Sequence, residues 1–73
     1  MNYYQFSRIV TDRWNEAVAD ETLPRWRNLA QLAAQLADSI EQDAPDHVLV
    51  PAFRGIYEAA YARMVALQPK EVA

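Results

Sequence analysis

Four prolines, at positions 24, 45, 51 and 69, divide this chain into segments that can fold on their own terms. Proline has no backbone N–H and its ring clashes with the turn before it, so it is tolerated at a helix start and disfavoured inside one. Between the prolines there is a single glycine, Gly55, and many alanines, a composition that favours helices over strands. The prediction is an all-α chain, a small three-helix bundle in one domain spanning residues 1–73.

Apolar residues recur at three- and four-residue steps in each segment. The first helix is expected from Tyr3 to Ala19, with Phe6, Ile9, Val10, Trp14, Ala17 and Val18 inward. Arg8, Asp12, Arg13, Asn15 and Glu16 face water, with Arg8 and Asp12 spaced to pair. Thr22 is placed to cap the second helix, with Pro24 in its first turn. That helix runs to Asp43, and its stripe is Trp26, Leu29, Ala30, Ala33, Leu36, Ala37 and Ile40, widened by Leu32. Truncating Leu36 to Ala is expected to cost about 2–5 kcal/mol.

Pro45 ends the second helix, because the residue before a proline avoids helical geometry. Asp46 suits the cap of the third. His47, Val48, Leu49 and Val50 read equally as a first turn or as an extended link. The third helix either begins near Pro51 or is kinked there, and runs to about Gln68 with Phe53, Ile56, Tyr57, Ala60, Met64 and Leu67 inward. Ala52, Gly55, Ala59 and Ala66 form a second line of small residues. A helical glycine costs roughly 0.5–1 kcal/mol against alanine, so Gly55 is read as a place of close helix approach. Pro69 ends the helix, and the tail from Lys70 to Ala73 is expected to fray.

Chemistry is thinly provided. The serines are Ser7 and Ser39 and the only histidine is His47, with nothing to hold them as nucleophile and base. There is no cysteine and no glycine-rich phosphate loop. Asp12 with Glu16, or Asp38 with Glu41, have helical spacing for a divalent ion, but a solvated face is the better reading. The expectation is no enzyme, no metal and no cofactor.

Ten acids oppose seven bases, a formal charge of −3, which speaks against a grip on nucleic acid phosphates. No stretch approaches a membrane span, and the first residues do not read as a signal peptide, so the expected location is cytoplasmic.

The second helix carries its charges against its dipole, which prefers acids at the start and bases at the end. Arg25 and Arg27 stand at the start; Asp38, Glu41 and Asp43 stand at the end. One reading is that Asp20 and Glu21 offset the arginines, Asp46 caps the third helix and solvent absorbs the rest. The other is an acidic patch that meets a basic surface on a protein partner. On that second reading the partner-binding residues are Asp38, Glu41, Asp43, Asp46, His47, Val48 and Leu49. Reversing Asp38 and Glu41 to lysine would then leave the fold intact, even slightly more stable, and weaken binding. Trp14, Trp26, Phe53 and Tyr57 are expected in the core. Tyr3, Tyr4 and Tyr61 are less clearly inward and suit an interface.

The stretch Ala37-Asp38-Ser39-Ile40-Glu41, then Gln42-Asp43-Ala44, then Pro45-Asp46-His47-Val48, resembles the theta subunit of bacterial DNA polymerase III and its phage homologue. There, a second helix closes with an alanine-acid-small-aliphatic-glutamate run that leads into Pro-Glu-His and a third helix. Twelve residues carry the likeness, and Val50-Pro51 interrupts where theta continues as helix. The resemblance implies a non-catalytic subunit that binds and stabilises a proofreading exonuclease, with Glu41, Pro45, Asp46 and His47 near the junction of helices two and three.

From the residues alone, the first reading is a protein-binding module without enzymatic activity. One rival is a phage-type acidic inhibitor that blocks the nucleic-acid-binding surface of a host complex or enzyme. Another is a structural homodimer joined through apolar surplus and small-residue lines.

Overall fold

The computed structural model describes residues 3–68 as three helices: α1 (Tyr3–Ala19), α2 (Leu23–Asp43) and α3 (Leu49–Leu67). No strand occurs among the described residues. Pro69 and the Lys70 to Ala73 tail lie outside them.

Helix α2 is the centre. Six of its residues are buried: Trp26, Leu29, Ala30, Ala33, Ala37 and Ile40. Three are alanines, which let neighbouring backbones come close. Helix α3 lies along α2 for most of its length and α1 packs on α2 more sparingly, while α1 and α3 barely touch. The arrangement is therefore shallow, with principal extents of 46 × 24 × 13 Å. Val10 and Ala17 from α1, and Val50, Phe53 and Ala60 from α3, complete the buried core. Phe6, Trp14, Leu36, Ile56 and Met64 pack on it while half-buried.

This openness corrects the width of the expected stripes. Ile9 and Val18 on α1, and Tyr57 and Leu67 on α3, are exposed and not inward. Helical periodicity placed them on the flank of the correct face, but no second neighbour covers that flank. Leu36 is half-buried, which lowers the cost expected of its truncation.

The helix ends follow local chemistry with two changes. Thr22 holds the N-cap position of α2 with extended backbone, and its carbonyl accepts the first helical bond from Trp26 N–H at 3.2 Å. Its hydroxyl makes no capping bond. Helix α3 begins at Leu49, so Pro51 falls in the first turn, where its missing N–H costs little. His47 C=O, which residue 51 would otherwise use, accepts from Val50 N–H at 3.1 Å. The helix runs on through Pro51 to Leu67.

Candidate functional site

Two regions stand out: the junction where α2 hands over to α3, and the outer face of α3.

At the junction, α2 ends on a bond from Ala44 N–H to Ile40 C=O at 2.6 Å. The link then turns back, with His47 N–H donating to Ala44 C=O at 3.0 Å. Asp46 does not cap α3, although the sequence pattern favours it. The cap comes from His47, whose Nδ1 accepts the Leu49 N–H at 3.1 Å. Helix α3 starts two residues too late for Asp46 to hold the N-cap; Val48, which has no hydrogen-bonding side chain, stands there, and the imidazole just before it supplies the acceptor. The hydrogen bond fixes the tautomer: Nδ1 is the acceptor, so the neutral ring carries its proton on Nε2.

The same ring is gripped from α1. Tyr3 stands edge-on to His47, with centroids 4.8 Å apart and planes at 88°. Its hydroxyl donates to the Asp43 carboxylate at the end of α2. This hydrogen bond, then loss of hydration and the carboxylate charge, hold the Tyr3 phenol above its ordinary pKa. One aromatic thus ties the first turn of α1 to the last turn of α2 and to the link.

The acids of α2 are met by α3. Arg54 Nη2 donates to Asp38 Oδ1 at 2.9 Å and to Glu41 Oε1 at 3.1 Å. The Asp38 bond is the main cause that raises the Arg54 pKa further, with some loss of hydration opposing it and the charges of Glu41 and Asp38 adding to it. At the other end of α2, Arg25 pairs with Asp20 at 3.3 Å, and Arg63 of α3 reaches Glu21 at 3.4 Å. Of the charges that oppose the α2 dipole, Asp38 and Glu41 are thus answered by Arg54, 16 and 13 residues away in sequence, and Arg25 by the nearby Asp20. On α1, Arg13 pairs with Glu16 at 3.1 Å, while Arg8 and Asp12 form no ion pair among the described residues.

Of the seven junction residues singled out by sequence, Asp38 and Glu41 share Arg54, and Asp43 holds Tyr3. Asp46 is exposed and His47 is half-buried. Val48 is 73% exposed, Leu49 packs against the core and Val50 is buried. The apolar run thus divides, with only its first residue offered to solvent.

The outer face of α3 is the region that sequence reasoning under-weighted. Tyr61 and Val65 are each 53% exposed, and Tyr57 lies against Tyr61 with centroids 6.1 Å apart. On the other flank, the gap between α1 and α3 is an open groove lined by Val10, Thr11, Trp14, Ala52, Gly55, Ile56 and Ala59. A Cβ placed on Gly55 would meet nothing within 4 Å. The small-residue line was therefore found by sequence, but it makes no close approach within this chain. The signal was the helix itself: α3 carries only Arg54, Glu58 and Arg63 as charges in 19 residues.

Among the described residues, no three metal-ligating side chains come together, and Asp38 and Glu41 hold a guanidinium. No helix among them is long and apolar enough to cross a membrane. No family model matches the chain, and comparisons with curated proteins and with solved structures also give no match.

Proposed function

We propose that this chain is a non-catalytic protein-binding module that stabilises or modulates a larger partner. The observation that carries the reading is the outer face of α3. A helix that is apolar nearly all round is ordinarily buried. This one packs mainly on α2 and leaves Tyr61, Val65 and a neutral groove open, with Val48 exposed just before its first turn. Tyrosines in such a setting are favoured contact residues.

The most concrete form of the reading is an accessory subunit of a replicative proofreading exonuclease, as the theta-like stretch suggests. Three helices, the third beginning at Leu49 close to Pro51, are compatible with it. The test is a titration of the purified protein against a proofreading exonuclease, followed by thermal melting of the exonuclease alone and with the protein. Saturable one-to-one binding and a raised melting temperature are expected. No binding at micromolar concentrations sinks the exonuclease form. A pull-down from nuclease-treated host lysate then tests the broader reading through another partner.

A homodimer is the second reading that the exposed apolar face favours. Sedimentation over a hundredfold concentration range separates it, because a dimer gives a mass that rises to twice the monomer. The inhibitor reading asks for a free acidic surface. It stands behind the other two because Asp38 and Glu41 already share Arg54.

A further inference from the structure

We propose that His47 makes the start of α3 an acid-sensitive latch. Its neutral ring caps the helix through Nδ1, and proton uptake releases the first turn. The latch needs no partner and does not depend on the proposed function.

The first turn of α3 has few ways to satisfy its backbone. Val50 N–H reaches His47 C=O at 3.1 Å and Pro51 has no N–H. Leu49 N–H depends on His47 Nδ1 at 3.1 Å. A proton on Nδ1 turns that acceptor into a donor, and two donors then face each other. The imidazolium also sits at the positive end of the α3 dipole, where a cation is unfavourable. Both effects act in the same direction.

The groups around the ring are few. From α1 comes Tyr3, which touches the ring edge-on. From the end of α2 comes Asp43, held by the Tyr3 hydroxyl. Asp46 is the neighbour in the link, and α3 offers the backbone of Leu49 and Val50. The two carboxylates attract an imidazolium and work against release. Asp43 is already engaged by a donor and Asp46 is exposed. The lost cap and the dipole therefore decide the direction. Release loosens Leu49 and Val50, which belong to the packed core, and widens the apolar surface that begins at Val48.

The experiment is amide exchange by NMR from pH 4.5 to 8, a range that spans the ordinary titration of histidine. Exchange is corrected for its intrinsic pH dependence, and the His47 ring signals are followed in the same samples. Protection at Leu49 should fall about fivefold or more, the scale of a lost helix cap, along the titration curve of the ring. In His47→Asn, whose side-chain oxygen can accept from the same N–H without titrating, that step should vanish. Protection that stays level or rises as the ring protonates overturns the latch, a rise meaning that the imidazolium has paired with Asp43 or Asp46. An unchanged step in His47→Asn overturns it too. If that variant does not fold, the wild-type curve decides alone.

Discussion

Arg54 of α3 stands 2.9 Å from Asp38 of α2, and the same nitrogen reaches Glu41 at 3.1 Å. One guanidinium thus gathers the two acids that oppose the α2 dipole and closes the edge of the α2–α3 contact. All three side chains are 42% exposed or more, so each bond is screened by water, and the shared geometry matters more than either pair.

Charge layout along α2 alone predicts that lysine at positions 38 and 41 is harmless or mildly stabilising. The contact with Arg54 reverses the sign, because the double change sets three cations together. Asp38→Lys with Glu41→Lys should lower the urea midpoint below wild type. Adding Arg54→Glu should recover most of the loss. A double variant as stable as wild type would show that Arg54 contributes nothing to the contact.

The core offers a cleaner contrast within one helix. Leu29 is fully buried on α2, whereas Leu36 is half-buried. Leu29→Ala should destabilise by about 2–5 kcal/mol, the range for a leucine removed from a packed interior. Leu36→Ala should cost clearly less. Urea unfolding of the two variants compares them directly, and equal losses would place Leu36 deeper than its exposure indicates.

These contrasts show where the sequence was legible. The limits of α1 and α2 followed from periodicity and proline placement, because both are local properties of the backbone. Periodicity also gives the angle of a side chain around its helix, but not the number of neighbours that helix has. Ile9 and Val18 share the apolar pattern of α1, yet no other helix covers either of them. The sequence offered Asp46 as the cap of α3, but the helix starts at Leu49, two residues later than such a cap requires, and His47 takes the Leu49 N–H instead. The reach of Arg54 to α2 and of Tyr3 to Asp43 spans 13 to 40 residues, so no local pattern announces it. The junction residues were located by sequence; the answering charge and the ring that organise them were not.

Tyr3 supplies a prediction at the alkaline end. Its phenol pKa is raised above the ordinary 10.0, first by the hydrogen bond to Asp43. The unfolded chain therefore releases this proton at lower pH than the folded one. The stabilisation is fully present below pH 10 and is lost as pH rises through the folded value. Wild type should lose stability relative to Tyr3→Phe over that window, and the two should converge above it. A stability difference between them that does not change with alkaline pH would remove Asp43 as the cause.

Gly55 separates what the fold needs from what a partner needs. It lies inside α3, on the wall of the groove that α1 leaves open, and a Cβ there meets nothing within 4 Å. Alanine should therefore add helix propensity without a clash and stabilise by roughly 0.5–1 kcal/mol. A larger side chain tests the groove. Gly55→Leu extends into open space, so the chain should stay folded, as judged by circular dichroism and melting. If a partner seats a helix in the groove, the same leucine blocks it and affinity falls by tenfold or more, a loss of about 1.4 kcal/mol. Retained affinity in a folded Gly55→Leu protein would move the docking surface to the other flank of α3. Tyr61→Ala is then the variant that should lose binding while the fold remains, since its ring is more than half exposed.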